Sequence, residues 1–164
     1  MRPLPEGAPA DLYAAFAKIN ACTAPTIADL QVMVFAEAAG KALYGAMAEG
    51  VEHPEVKALM LTNGREELAH AHRVSKVIGI LTGEAFPAPE PEENPYLQTP
   101  MRSRPVTAAS LLSLAEGENA GDDLYQKWAA ACPNPEAAEL FRQNGREERR
   151  HGERMRQAAA LLGE

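Results

Sequence analysis

The sequence contains few cysteines and no long apolar run, and both absences narrow the kind of protein it encodes. Its two cysteines, Cys22 and Cys132, form no Cys-x-x-Cys pair. Two cysteines this far apart in the sequence fit neither a cysteine-ligated metal motif nor a redox dithiol motif. Free thiols in a reducing cytoplasm are the favoured interpretation. No apolar stretch reaches the roughly 18 residues of a membrane span, and the first residues lack the apolar core of an export signal.

Basic residues are in the minority, which bears on the partners of the protein. The chain has 16 Lys and Arg against 23 Asp and Glu, a formal net charge of −7. This balance disfavours nucleic acid and anionic membranes as partners. Four of the carboxylates belong to a repeated pattern described below, so we expect part of the acidity to serve a site.

Aromatic residues are scarce as well, at 5% of the chain, and no segment shows the alternation of a half-buried strand. Ala, Leu, Glu, Lys and Arg dominate instead, and apolar residues recur at helical spacing. The hydrophobic content of 46% is enough for a packed core. We therefore predict one all-α domain.

The helical pattern divides the chain into two hairpins preceded by a short extension. Residues 1–24 form the extension, with a short helix at about 10–20 that we expect to act as a lid or an oligomer contact. The first hairpin covers 25–83 and the second covers 107–164. Between them, residues 84–106 carry six prolines, which predicts an extended, non-helical crossover along the length of a bundle.

Several residues mark where the helices should begin and end. Thr26 and Thr107 are predicted N-caps of the first helix in each hairpin. Pro54 fits the first turn of the next helix, and Gly83 fits its C-terminal end. Asn63-Gly64 and its counterpart at 144–145 are turn dipeptides, which favours a break instead. The apolar stripe keeps its phase through both, so we predict continuous helices in which glycine permits a close helix approach.

The two hairpins match each other at an offset of 81 residues without a gap. Residues 37–83 and 118–164 form 47 pairs, of which 17 are identical. A duplicated core would require only matched Leu and Ala, yet many of the identities are polar. The repeat therefore predicts a duplicated polar site inside a four-helix bundle.

The repeated polar residues have the spacing of metal ligands. Each hairpin offers one Glu on its first helix and a Glu-x-x-His on its second, which places both groups of that pair on one helix face. All lie on otherwise apolar stripes, where an unpaired carboxylate is costly. Two divalent cations would neutralise the four glutamates, and mixed carboxylate and imidazole donors favour iron or manganese over calcium or structural zinc. The predicted ligands are Glu37, Glu67, His70, Glu118, Glu148 and His151.

A simpler interpretation exists for each residue alone, because Glu is common on exposed helix faces. Six residues repeated at one offset on apolar faces argue against it. Glu66 and Glu147 are also repeated but lie one position off the ligand face, which predicts surface acids or groups that contact the ligands. Further candidates for orienting the ligands are Asn63 and Arg73, their counterparts Asn144 and Arg154, and Asp122.

This motif pair resembles the ferritin-like di-iron carboxylate proteins, including bacterioferritins and rubrerythrins, over about residues 25–164. The resemblance implies a ferritin-like four-helix bundle with two iron ions, manganese or a mixed pair being alternatives. It implies an oxidoreductase that reacts with dioxygen or hydrogen peroxide and takes electrons from an external donor. The implied roles of the six ligands are bridging for Glu67 and Glu148, terminal for Glu37 and Glu118, and one imidazole per metal from His70 and His151.

Tyr44 and Tyr125 follow Glu37 and Glu118 by seven residues, an offset that also resembles bacterioferritin and ferritin. We expect at least one of them to donate a hydrogen bond to a ligating glutamate and to supply an electron. Rubrerythrins carry an extra glutamate where this chain has Gly121. The glycine predicts either room for a small oxidant or close approach of the first and third long helices.

Two other functions remain open from the sequence. A ferroxidase or iron-storage protein would use the same ligands, but the chain shows no fifth helix after the fourth, so we expect a homodimer or small homo-oligomer. A metal-free helical scaffold that binds a partner is the other alternative. It predicts purified protein without stoichiometric metal.

Overall fold

The computed structural model describes residues 1–98 and 105–163, and these residues contain helices but no strand. The bounds are α1 Leu12–Asn20, α2 Ile27–Glu49, α3 Pro54–Thr82, α4 Ala108–Ala131 and α5 Pro135–Leu162. This confirms the predicted all-α class. None of the helices in the described ranges is long and apolar enough to cross a membrane.

The ends of the long helices follow from local side-chain chemistry. Thr26 and Thr107 cap α2 and α4, and each forms a reciprocal capping box with the residue three positions on. The helices α3 and α5 begin with proline and are capped by His53 and Asn134. At His53 the cap is the ring Nδ1 atom, which accepts a hydrogen bond from the Val56 N–H at 3.4 Å. Gly83 ends α3 with φ of +76°, a conformation that favours glycine.

Both Asn-Gly dipeptides lie inside continuous helices, as predicted. A Cβ at Gly64 would lie 3.0 Å from the Tyr44 Cβ and 3.3 Å from the Lys41 carbonyl oxygen. At Gly145 it would lie 2.6 Å from the Gln126 amide nitrogen. Glycine therefore permits α3 to approach α2, and α5 to approach α4, within each hairpin.

The four long helices form a ferritin-like bundle in which α2 pairs with α3, α4 pairs with α5, and α3 packs against α5. One apolar cluster, at the α1 end, contains Phe35, Val77, Trp128 and Phe141. The other, at the opposite end, contains Tyr44, Met60, Leu111 and Met155. The middle turns of the helices lie between the two clusters, and the predicted ligands are found there.

The N-terminal helix and the crossover both pack on the bundle. Helix α1 buries Leu12, Ala15 and Ile19 in the first apolar cluster and contacts α2 and α4. The crossover differs from the prediction at one point, because Pro95–Leu97 form a single 3-10 turn. The Asn94 side chain caps that turn and donates a hydrogen bond to the Phe35 carbonyl oxygen at 2.8 Å. Part of the predicted crossover, including Pro100, lies outside the described residues.

Candidate metal centre

All six predicted ligands lie in the middle of the bundle and are buried. Helices α2 and α4 contribute one glutamate each, and α3 and α5 contribute a Glu-x-x-His each. Their donor atoms include two overlapping groups of four, and within each group all atoms lie within 4.8 Å of one another. The first group is Glu37, Glu67, His70 and Glu148, and the second is Glu67, Glu118, Glu148 and His151. Glu67 and Glu148 belong to both groups, which is the geometry that two bridging carboxylates require.

The two histidines face this carboxylate cluster with the same ring nitrogen. The His70 Nδ1 lies 3.1 Å from Glu148 Oε1, and the His151 Nδ1 lies 3.2 Å from Glu67 Oε1. Both Nδ1 atoms are buried, and within residues 1–98 and 105–163 none of the nearby carboxylate oxygens forms a hydrogen bond of regular geometry with them. The rings stack with centroids 5.1 Å apart. A buried nitrogen without a partner is costly, and a metal ion would satisfy it.

The other ring nitrogen of each histidine contacts a glutamate from the opposite hairpin. The His70 Nε2 lies 3.2 Å from Glu147, and the His151 Nε2 lies 3.0 Å from Glu66. An Nε2–H that donates to a carboxylate leaves Nδ1 as the nitrogen with the free lone pair. Glu66 and Glu147 therefore select the tautomer that can bind a metal through Nδ1.

An arginine holds each of these two glutamates in place. Arg73 donates two hydrogen bonds to Glu147, at 2.8 and 3.0 Å, and a third to the Asn144 side-chain oxygen. Arg154 makes the equivalent contacts with Glu66 and Asn63. Burial opposes ionisation of Glu147, yet His70 and Arg73 lower its pKa to about 2. It is therefore a permanent carboxylate acceptor.

One of the predicted supporting residues, Asp122, lies elsewhere. It pairs with Arg149 at 2.9 Å and accepts a hydrogen bond from Gln126. The histidine partners of Glu66 and Glu147 were not predicted. A position one residue off the ligand face indicated only that these glutamates lie near the ligands. The repetition of each glutamate together with an arginine, Arg73 or Arg154, was the pattern in the sequence that could have indicated the pairing.

The two tyrosines cross between the hairpins. The Tyr44 hydroxyl of α2 donates a hydrogen bond to Glu118 Oε1 of α4. The Tyr125 hydroxyl of α4 donates a hydrogen bond to Glu37 Oε1 of α2. Burial and the neighbouring carboxylates raise the pKa of both phenols well above their ordinary value, so each hydroxyl keeps its proton. In each glutamate the second oxygen, Oε2, faces a histidine Nδ1, at 3.6 Å for Glu37 and 3.7 Å for Glu118.

Gly40 and Gly121 make room for the shared carboxylates. A Cβ at Gly40 would lie 3.0 Å from the Glu67 Cγ, and one at Gly121 would lie 3.2 Å from the Glu148 Cδ. The space beside each glycine is therefore filled by a glutamate from the other helix of the same hairpin. This corrects both expectations for these glycines, an open space for an oxidant and an approach of α2 to α4.

The protonation of the cluster is governed by burial and crowding. Burial and carboxylate repulsion raise the pKa of Glu37 and of Glu118 well above the ordinary value. Burial opposes protonation of the imidazoles, but the carboxylates outweigh it and raise the pKa of His70 well above normal and that of His151 to about 12. Without metal, the cluster therefore holds protons that a cation would displace.

The helical bundle and its buried carboxylate and histidine cluster are features of the ferritin-like di-iron carboxylate proteins. The family profile described as Rubrerythrin matches residues 30–159, which include all six clustered residues, and the chain belongs to that family. Members of the family typically bind iron. Neither the curated proteins nor the solved structures contain a significant match to this chain.

Proposed function

We propose that this protein is a di-iron oxidoreductase that reacts with dioxygen or hydrogen peroxide. The proposed ligands are Glu67 and Glu148 as bridges, Glu37 and Glu118 as terminal carboxylates, and the Nδ1 atoms of His70 and His151. Two iron ions fit this donor set, and manganese or a mixed pair has the same ligand preference. The bound metals would supply one-electron redox chemistry and a binding position for the small oxidant.

The two orphaned Nδ1 atoms are the observation that supports this proposal most directly. Helix charges exposed to solvent would explain carboxylates, but not two buried imidazole nitrogens without a partner. Each belongs to a four-donor group of suitable size. The fit rests on the chemistry of the donors, because neutral imidazole and carboxylate are the ligands that iron and manganese share.

The surrounding side chains prepare the site to hold the metals. Glu66 and Glu147 fix the histidine tautomer, and Arg73 and Arg154 fix those glutamates. Each tyrosine hydroxyl donates a hydrogen bond to the Oε1 atom of one terminal glutamate, so the Oε2 atom of that glutamate stays available to a metal. The apolar clusters on both sides exclude bulk water, which strengthens every charge interaction at the site.

We further propose that the protein works in a reducing cytoplasm and receives electrons from an external donor. Both cysteines are free thiols, which supports the reducing compartment. They belong to no metal-binding cysteine cluster, so the reductant must come from outside this chain. A homodimer or small oligomer is the proposed assembly.

Metal analysis followed by stopped-flow kinetics tests the function. We expect about two iron ions per chain, a loss of bound iron in Glu148→Gln, and normal loading in Glu153→Gln, an exposed control on the same helix. Rapid decay of peroxide or dioxygen by the loaded protein supports the oxidoreductase. Many irons per chain would favour storage, and protein that takes up no stoichiometric metal would favour the scaffold.

A further inference from the structure

Three aromatic side chains are in contact on one side of the candidate metal centre. The Tyr125 ring lies 5.7 Å from the Trp128 ring, and the Phe141 ring lies 5.7 Å from Trp128 and 6.1 Å from Tyr125. Tyr125 and Trp128 meet edge to face at 79°. All three residues are buried in the first apolar cluster. They therefore form a closed group of π-systems inside the bundle.

The inner end of this group reaches the candidate ligands. The Tyr125 hydroxyl donates to Glu37 Oε1, and its ring lies 6.3 Å from the His70 ring. Glu37 and His70 belong to the same four-donor group. Tyr125 thus contacts two proposed ligands of one metal position.

The outer end of the group lies directly beneath the protein surface. Trp128 lines a surface hollow of about 110 Å³ together with Pro25, Leu81 and Cys132. Its indole N–H donates to the Cys22 carbonyl oxygen at 2.9 Å, which fixes the ring in place. Leu81 at the rim is 41% exposed. A reductant bound at this hollow would therefore lie close to the indole ring, which is itself buried.

The first hairpin has no equivalent aromatic group. At the offset of 81 residues, Met47 stands in the position of Trp128, and Met60 stands in that of Phe141. Tyr44 accordingly packs in an apolar cluster with Met60. The two tyrosines make mirrored hydrogen bonds to glutamates, but only Tyr125 continues to the surface through an aromatic ring.

We propose that Trp128 and Tyr125 form an electron route from the surface hollow to the metal centre. This proposal rests on the di-iron function proposed above. For each electron transferred, an external one-electron reductant loses one electron and the metal centre gains it, and no covalent bond forms or breaks in the protein. Tyr44 then only positions Glu118, which makes the two halves of the site unequal in their connection to the donor.

Re-reduction kinetics in matched variants test this route. Wild-type protein, Trp128→Met, Tyr125→Phe and Tyr13→Phe are loaded with iron, assayed for metal, oxidised and mixed anaerobically with a reduced viologen. Trp128→Met introduces the residue of the first hairpin, and Tyr13→Phe is the control, at an exposed tyrosine of α1. We expect re-reduction to slow by about tenfold in Trp128→Met and Tyr125→Phe, a barrier increase of roughly 1.4 kcal/mol, and to keep the wild-type rate in Tyr13→Phe. Re-reduction of Trp128→Met at the wild-type rate overturns the route.

A second measurement uses metal-free protein, so it does not depend on metal loading. Trp128 is the only tryptophan of the chain, and pulsed ultraviolet light can ionise it selectively in the presence of an electron scavenger. The resulting indolyl radical gains one electron and one proton, and a tyrosine phenol loses both. We expect a tyrosyl absorbance to appear in wild-type protein and in Tyr44→Phe, but not in Tyr125→Phe.

The two experiments separate the possible failures. A tyrosyl signal of equal size in Tyr125→Phe overturns the proposed route, whatever the metal content. Protein that fails to bind iron but transfers the radical as expected overturns the proposed function and leaves the aromatic contact functional. Normal iron loading with unchanged re-reduction in Trp128→Met overturns the route alone.

Discussion

Glu66 and Glu147 are single residues with a specific role, because each orients one histidine of the opposite hairpin. Their oxygen atoms lie within 3.0 and 3.2 Å of the histidine Nε2 atoms, while both Nδ1 atoms have no hydrogen-bond partner in the described part of the chain. A carboxylate acceptor also makes the imidazole a more basic ligand. In the proposed metal centre, these two residues would therefore determine which nitrogen binds the metal and how strongly.

Replacing either glutamate by glutamine tests this role. Because a neutral amide is a weaker acceptor, we expect Glu66→Gln and Glu147→Gln each to raise the metal dissociation constant about 10- to 100-fold. Competition with a chelator of known affinity measures the change. Glu116→Gln is the control, since Glu116 is exposed and pairs only with Arg156. Unchanged affinity in both test variants would contradict the assigned role.

Metal binding should also release protons, because several donors hold them in the metal-free protein. The neighbouring groups raise the pKa of Glu37, Glu118 and His70 and raise that of His151 to about 12. A cation requires the deprotonated form of each group. We expect a net release of protons when the site fills, and affinity that falls as the pH is lowered.

Titration calorimetry in two buffers with different ionisation enthalpies counts these protons. The difference between the two apparent binding enthalpies gives the number released. Affinity that stays constant between neutral and mildly acidic pH would be inconsistent with the raised pKa values.

At the scale of the helix, glycines decide how closely neighbours approach. Gly64 faces the Tyr44 side chain and the Lys41 carbonyl oxygen, and a Cβ there would lie 3.0 and 3.3 Å from them. Gly117 also lies inside a helix, but a Cβ there would meet nothing within 4 Å. The same residue type therefore has opposite roles in α3 and α4.

Alanine substitutions at these two glycines should change stability in opposite directions. We expect Gly117→Ala to raise the free energy of unfolding by up to about 1 kcal/mol, because alanine has the better helix propensity. Gly64→Ala should lower it, since the contact with backbone at Lys41 forces α2 and α3 apart. Urea denaturation measures both changes. A stabilised Gly64→Ala variant would show that the close approach imposes no constraint.

The helices could be predicted from the sequence because the interactions that begin and end them act over only a few residues. Thr26 and Thr107 satisfy amide groups only three residues away, so their role as caps is visible in the sequence. The phase of the apolar stripe likewise revealed that α3 continues through Asn63. The 3-10 turn at Pro95–Leu97 was missed because it depends on Asn94 bonding to a distant carbonyl on α2.

The whole bundle contributes to the candidate site, since all four long helices carry proposed ligands. The clustering of these residues could be expected from the repeat, but the partners within the cluster could not. The spacing of seven residues between Glu37 and Tyr44 places both on one face of α2. It does not reveal that the Tyr44 hydroxyl donates a hydrogen bond to Glu118 of α4. Such contacts depend on how two hairpins dock, which a pattern within one hairpin does not encode.

Metal loading should stabilise the whole molecule, because binding requires all four helices to be in place. Without metal, four carboxylates and two imidazoles are crowded in a buried region, and both Nδ1 atoms lack a hydrogen-bond partner among the residues that the structure describes. A cation at 100 times its dissociation constant adds about 2.7 kcal/mol to the free energy of unfolding. We expect a higher melting temperature in anaerobic calorimetry with ferrous iron than with a chelator.

The Glu148→Gln variant serves as the control for that measurement. Its donor groups are incomplete, so ferrous iron should raise its melting temperature much less than it does in wild-type protein. An equal rise in both proteins would place the stabilising metal at another position.

Because each four-donor group takes three residues from one hairpin and one from the other, neither hairpin alone holds a complete set. A nascent chain that has folded only 25–83 therefore cannot retain iron tightly at this position. Iron capture becomes possible only once both hairpins have docked and enclosed it between the two apolar clusters. If the proposed di-iron centre forms, this architecture would keep the metal away from partly folded protein.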